Sequence, residues 1–258
     1  MNEEQKFEII KYDGVPYTIY KYSKLDSTNT FLKQHCSTLA DYTVIWAEEQ
    51  TQGSGRFGRM WKSEPGEDLT FSFLLPLSSL KLKLRQNITQ LAALAVVRLL
   101  ESHGLKPAVK WPNDVLIKGK KICGILCETV EVKKKAYAIL GIGLNVNSSK
   151  ESFVPLDKPA TSIRGEMHRR IGRIEVLRDL LENIIKCFNE LCQEGFKKIR
   201  MEIKKRLTFI NERIIVTDGA NNLHPGKIID LNNDGTLLFN CEECDVISLN
   251  SGEVSFKG

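Results

Sequence analysis

The sequence predicts an α+β fold, a mixed and mainly antiparallel sheet with helices, followed by a small all-β domain. Three observations predict it. Short β-rich runs separated by turn residues fill much of residues 7–146. Two longer stretches, 84–103 and 174–206, carry apolar residues at helical spacing. From Thr208 the texture changes to five short β runs punctuated by turn signals, which describes a small SH3-like barrel. The expected division is therefore 1–207 and 208–258.

In chain order, residues 7–22 read as a hairpin turning through Asp13-Gly14, a favoured type I′ pair. Asp26, Ser27 and Thr28 are good helix N-caps ahead of a short helix ending near Cys36. Residues 42–48 form a strand that feeds a glycine-arginine loop, and 68–75 form another that Pro76 ends. The helix over 84–103 has Gly104 placed to stop it. Val109-Lys-Trp-Pro-Asn-Asp114 then makes a strand and a tight turn, with two polar side chains at the apex. Lys118–Lys121 is a second turn. Gly124 interrupts an otherwise apolar strand, a sign that something approaches its backbone closely. Residues 137–146 form a further strand, and 155–173 are loop-like. The amphipathic helix beyond them breaks near Gly195, and Asp218-Gly219 and Asn233-Asp-Gly235 supply turns in the last segment.

Composition narrows the function classes. The chain has 258 residues, 42% hydrophobic and 27% charged, and no apolar run approaches the roughly 20 residues of a membrane span. The charged start, Met-Asn-Glu-Glu-Gln-Lys, lacks the apolar core of a signal peptide, so a cytoplasmic location is expected. Seven scattered cysteines fit reduced thiols better than a disulfide framework, and Cys241-Glu-Glu-Cys244 lacks the second ligand pair of a zinc site. The net charge of +5 is spread along the chain, whereas nucleic-acid binding favours a dense basic stripe. The basic run Lys133-Lys-Lys135 reads as a solvated hairpin tip.

The chemistry concentrates in Gly53-Ser-Gly-Arg-Phe-Gly-Arg-Met-Trp61. Glycine lets backbone approach a ligand, and arginine offers a planar fork of donors to carboxylate or phosphate. A dinucleotide fingerprint is excluded because Pro65-Gly66 leaves no room for the helix it needs. No Gly-Lys-Ser/Thr follows, which excludes a P-loop, and the kinase partner motifs are missing.

Four separated segments occur in a telling order: Leu-Asp-Ser-Thr-Asn (25–29), Gly-x-Gly-Arg-x-Gly-Arg-x-Trp (53–61), Lys-Trp-Pro-Asn-Asp (110–114) and Lys-x-x-Gly-Ile-Leu (121–126). In order and spacing the chain resembles the biotin–protein ligases. Gly-Ile-Gly-Leu-Asn (141–145) and Ala-Thr-Ser-Ile (160–163) extend the likeness from about Tyr20 to the C-terminus. The resemblance implies the biotin/lipoate ligase catalytic fold, related to class II aminoacyl-tRNA synthetases. It further implies the short catalytic class, since too few residues precede Leu25 for a helix-turn-helix domain. The implied reaction uses ATP, Mg²⁺ and biotin. It passes through biotinyl-5′-AMP to a lysine of a biotin carboxyl carrier protein or domain of a biotin-dependent carboxylase, without nucleic acid or membrane. An exposed sheet edge can pair with that carrier or with a second copy of the chain as a homodimer.

The resemblance also assigns residues. Ser27, Thr28, Asn29, Gln50, Gly53, Gly55, Lys121 and Gly124 are expected at biotin; Arg56, Arg59, Trp61, Asn113, Lys121 and Asn145 at ATP or the adenylate. Lys121, Arg56 and Asp114 are expected to be catalytic, and the metal ligands are not assigned. Two positions depart from the family loop: Ser54 stands where an arginine is usual, and Phe57 where a basic residue is common. A lipoate or octanoate ligase is the nearest rival; the Lys-Trp-Pro-Asn-Asp turn and the Gly-Arg-x-Gly-Arg loop favour biotin. A binding module with decayed chemistry would not need Lys121, Arg56 and Trp61.

Overall fold

A computed structural model describes residues 7–154, 156, 158–217, 222–242, 245–250 and 252–255. The elements run β1 (Phe7–Lys11), β2 (Thr18–Leu25), α1 (Thr28–His35), β3 (Thr43–Gln50), β4 (Leu69–Pro76), α2 (Ile88–Ser102), β5 (Pro107–Lys110), β6 (Asp114–Ile117), β7 (Lys120–Val132) and β8 (Lys135–Leu144). They continue with α3 (Ile163–Met167), α4 (Arg173–Glu194), α5 (Lys197–Lys204), β9 (Arg213–Thr217), β10 (Leu223–Leu231), β11 (Leu237–Cys241), β12 (Val246–Leu249) and β13 (Glu253–Ser255). The chain divides into two compact units, residues 1–80 with 120–181 and residues 81–119 with 182–258.

In the first unit the strand order is β1-β2-β3-β4-β8-β7. Neighbouring strands are antiparallel except β2 and β3, which run parallel with α1 as the crossover between them. All eight residues of β4 are buried, which explains its nearly unbroken apolar run: covered on both faces, it cannot alternate. Helix α1 lays Phe31 and Leu32 onto the sheet among Leu25, Ile45, Leu74 and Ile139. Each such fully buried side chain contributes about 1.5–3 kcal/mol relative to exposure. Ser27 caps α1, accepting from the Thr30 N–H. At the far end of the β7–β8 hairpin, Lys133 and Lys134 both take positive φ (49° and 66°), forming the basic tip predicted there.

In the second unit α2 buries Leu91, Leu94, Ala95 and Leu99, and stops at Gly104 with φ 77°. There the Gly104 and Leu105 N–H groups donate back to the Glu101 and Leu100 carbonyls. Strands β5 and β6 pair across the Trp111–Asn113 turn, whose Trp111–Pro112 bond is cis. The C-terminal strands form one antiparallel sheet in the order β12-β11-β10-β9-β13, with a bulge in β10 at Ile228/Asp230, in keeping with the small SH3-like domain expected. Trp111 donates from its indole to the Gly235 carbonyl (3.2 Å), and Gln90 Nε2 donates to the same oxygen (3.0 Å). Gly195, at φ 74°, separates α4 from α5 as its sequence position implies.

Some expectations need correction. Asp13 does not share the positive φ of Gly14, and six residues separate β1 from β2, so the first hairpin does not turn through a type I′ pair. The loop-like stretch contains α3, because Ser162 accepts from the Gly165 N–H and starts a helical turn. Residues 84–87, the first part of the stretch read as one helix, belong instead to a 3₁₀ turn, Leu82–Asn87. Cysteines 36, 123, 127, 187 and 192 are free thiols as expected, whereas Cys241 is disulfide-bonded. Met1–Lys6, the Asp218-Gly219 turn, Cys244 and the predicted strand end at Phe256 lie outside the described residues.

Candidate active site

The first unit gathers most of the predicted site residues along one connected path. It begins at the N-terminus of α1, where Ser27, Thr28 and Asn29 are all buried. Gln50, the last residue of β3, places Oε1 2.8 Å from the Thr28 backbone nitrogen and 3.1 Å from its hydroxyl. A Cβ on Gly53 would stand 2.9 Å from Gln50 Nε2 and 2.6 Å from the Trp61 carbonyl, so glycine is what lets these two meet.

Residues 53–61 fold as a tight clasp. Trp61 N–H donates to the Gly53 carbonyl (2.8 Å), Gly55 N–H donates to the Arg59 carbonyl (2.6 Å), and Ser54 pairs with Met60. The tip is a single 3₁₀ turn in which Phe57 has φ 58°. Phe57 is exposed, and the Arg56 guanidinium lies 4.8 Å from its ring centroid. Arg59 is exposed and Arg56 half-buried.

Trp61 completes the path. Its indole lies on a floor of two glycines paired across neighbouring strands, Gly124 of β7 and Gly143 of β8. A Cβ on Gly143 would come 2.1 Å from Trp61 Cε2, and one on Gly124 2.9 Å from Cζ3. Lys121 stands beside the ring, its Nζ 5.4 Å from the centroid. Its backbone is fixed from the other side: Lys121 N–H donates to Pro159 O, and Thr161 N–H donates to Lys121 O (both 2.9 Å).

Asn145 is buried, and its Nδ2 donates to the Thr161 carbonyl (2.9 Å), so this amide holds the 160–163 segment against β8. Asp68 grips the chain just beyond, accepting from the N–H groups of Val146 (2.9 Å) and Glu64 (3.2 Å) and from the Ser148 hydroxyl. Burial pushes the Asp68 carboxyl above its usual range despite those hydrogen bonds. Asn113 and Asp114 belong to the second unit, at the β5–β6 turn.

Sequence reasoning missed Ser72, Glu128 and Asp68. Ser72 is fully buried, with Oγ 2.7 Å from Thr28 Oγ1 and 2.5 Å from Asn29 Oδ1. The available signal was period-two: Thr70 and Ser72 are polar inside an apolar strand and pair with Gly143 and Gly141. Among the described residues, no group of three or more His, Cys, Asp or Glu side chains is arranged to hold a metal ion.

Comparison with known proteins now bears on this geometry. The model of the biotin/lipoate A/B protein ligase family matches residues 22–145, which contain all four motif segments and the whole path from Ser27 to Trp61 and Lys121. The bifunctional ligase/repressor BirA of Bacillus spizizenii is 32% identical over 204 residues, 78% of this chain and 62% of that relative. Residues 22–145 belong to the biotin/lipoate A/B protein ligase family.

Other members of the family support the placement. A biotin–[acetyl-CoA-carboxylase] ligase of Paracoccus denitrificans is 28% identical over 225 residues, covering 84% of this chain and 91% of the relative. The biotin protein ligase from Aquifex aeolicus, solved in complex with biotin and ATP, superposes with a TM-score of 0.79 at 29% identity, over 92% of this chain and 97% of that one. The chain spans less than two thirds of the length of the Bacillus relative.

Proposed function

We propose that this protein is a biotin–[acetyl-CoA-carboxylase] ligase, which activates biotin with ATP and passes it to a lysine of a biotin carboxyl carrier domain. The observation that carries the reading is the continuous path Thr28–Gln50–Gly53–Trp61–Lys121. It joins a polar pocket floor to an aromatic platform, a lysine and an arginine-bearing clasp. The Paracoccus and Aquifex relatives are named for this ligase chemistry, and the Aquifex structure holds biotin and ATP.

In this reading the biotin carboxylate oxygen attacks the α-phosphorus of ATP, and pyrophosphate leaves. Two anions must meet, so cations have to offset the charge that develops between them. Lys121 holds the α-phosphate and acyl oxygens, and Arg56 and Arg59 reach in from the clasp. The product is a mixed anhydride that water would destroy; closure of the clasp over it excludes water. The uncharged ε-amine of the carrier lysine then attacks the acyl carbon, AMP leaves, and the amine loses its proton. Asp114 is assigned to assist that acceptor, and Asn113 and Asn145 to line the adenine. Among the described residues no group of three or more His, Cys, Asp or Glu side chains is arranged as a cage for Mg²⁺, which usually keeps several waters and would enter bound to the phosphates of ATP.

The catalytic part then covers 1–207 and the small barrel 208–258, following the change of texture at Thr208. A cytoplasmic enzyme fits the reading, and no helix among the described residues is long and apolar enough to cross a membrane. Pairing with a second copy is a further expectation. The test is pyrophosphate release that depends on both biotin and ATP, measured on the whole chain. Release with lipoate and not with biotin would overturn the assignment.

A further inference from the structure

We propose that Asp68 is a positioning residue for adenylation: its carboxylate ties the turn that leaves the clasp to the segment that braces Lys121, and so fixes the register between the two halves of the cationic site. This rests on the ligase reading and adds to it a residue that acts through others.

The two halves arrive on different parts of the chain. Arg56 and Arg59 come from the clasp, whereas Lys121 comes from β7, with its carbonyl held by the Thr161 N–H (2.9 Å). The segment that holds Lys121 is itself mounted on the chain beyond β8. Asn145 Nδ2 donates to the Thr161 carbonyl (2.9 Å), and the Ile163 N–H donates to the Asn145 carbonyl (3.1 Å). The Arg164 N–H donates to the Val146 carbonyl (2.8 Å), and the Ser162 hydroxyl donates to the Ser148 carbonyl (2.6 Å). Residues 145–148 therefore carry residues 161–164, which carry Lys121.

Asp68 joins this mount to the clasp. Its Oδ1 accepts from the N–H groups of Val146 (2.9 Å) and Ser148 (3.4 Å). Its Oδ2 accepts from the Ser148 hydroxyl (2.5 Å) and from the N–H of Glu64 (3.2 Å), in the chain that runs on from Trp61. The Glu64 carbonyl in turn takes the Asp68 N–H (3.3 Å), which closes the turn. All four donors to the carboxylate are uncharged, and they approach both oxygens. Only a carboxylate accepts at both; an amide would accept on one side and present N–H groups to the other. Asp68 is 3% exposed and burial opposes its charge, so the acid is kept for what it joins rather than for stability it adds.

Asp68→Asn preserves the shape. Its oxygen can still serve the Val146 and Ser148 N–H groups, and the Ser148 hydroxyl can turn round and accept, but the Glu64 N–H then meets an NH₂. The tie to the clasp is cut while the mount of Lys121 stays. The experiment is a double-mutant cycle on single-turnover pyrophosphate release from biotin and ATP, using the whole chain, with melting curves beside it. Asp68→Asn should slow release by about tenfold in the otherwise wild-type chain, as a small misalignment does. In the Lys121→Ala background it should cost about twofold or less, because one half of the register is then missing. Ser148→Ala keeps the acid and removes one bond on the Lys121 side, so it should show the same pattern with a smaller factor; it carries the test if Asp68→Asn does not fold. Equal factors in both backgrounds are what a merely structural role gives, and they overturn the proposal, as does unchanged release in both variants. A wild-type chain that releases no pyrophosphate from biotin and ATP overturns the ligase reading itself, and the positioning role falls with it.

Discussion

Trp61 rests directly on Gly143: any side chain there would begin 2.1 Å from the indole. The contact links the end of the clasp to the floor of the sheet, and it gives a glycine in a central strand a role in seating the indole. Gly143→Ala should leave the strand paired, because its main-chain bonds to β4 and β7 do not involve a side chain. It should displace the indole at an overpacking cost of about 1–3 kcal/mol. The expected outcome is a shifted tryptophan emission and at least about a tenfold loss of adenylation. A variant with normal emission and normal adenylation would show that Trp61 does not need this floor.

Lys121 stands beside that platform, and the two-step chemistry asks it to hold oxygens whose charge grows in the transition state. Lys121→Ala should lower the rate of pyrophosphate release by on the order of 10²–10³, as loss of an oxyanion-type donor does. Biotin affinity should fall far less, because the pocket contacts of Thr28 and Gln50 are intact. Comparing single-turnover rates with dissociation constants separates the two effects, and normal turnover would remove the assigned role.

Glu48 makes a pH signature of the first unit. Burial works against its ionisation, but Arg173 (2.6 Å) and Lys21 (3.0 Å) outweigh burial and hold the carboxyl below its ordinary range. Both cations also lie over Trp46, at 5.2 and 4.7 Å. A carboxyl whose pKa is lowered by folding stabilises the fold above its ordinary value and loses that contribution as pH falls through the folded value. Asp68, raised by burial, has the opposite sign, so the comparison must be made against a variant. Melting temperatures of wild type and Glu48→Gln should differ most at neutral pH and converge below the ordinary carboxylate range. A constant difference down to strong acid would contradict the account.

The second unit contains a half-buried charge cluster: Arg98 donates to Glu190 (2.9 and 3.1 Å) and Glu202 (2.6 Å), with Cys187 Sγ 3.2 Å from its Nη1. Burial pushes the Cys187 thiol up to about 12, and it is fully buried, so it should resist alkylation in the native chain. Arg98→Ala leaves two carboxylates without their partner and should cost about 3 kcal/mol, the lower end for a cluster that keeps some exposure. Urea unfolding measures the loss, and faster alkylation of Cys187 should accompany it.

Much of this was legible in the chain because local chemistry announced it. The Ser27 cap, the Gly104 and Gly195 stops, and the buried strand at 69–76 each depend on residues a few positions apart. What could not be read depends on partners. The sequence marks strands within 7–22 and at 42–48 but does not reveal that β2 and β3 run parallel, since that follows from how α1 crosses between them. Ser72 and Glu128 gain meaning only once register sets Ser72 beside Gly141, and Glu128 within reach of Asn29. Asn145 was singled out from its motif, but its bond to Thr161 belongs to the fold.

The central claim is tested most directly by transfer of labelled biotin to an apo carrier domain in the presence of ATP and Mg²⁺, with lipoate as control. The account predicts ATP-dependent labelling of one carrier lysine with biotin and none with lipoate. Labelling with lipoate alone, or no activation of either acid, would contradict it.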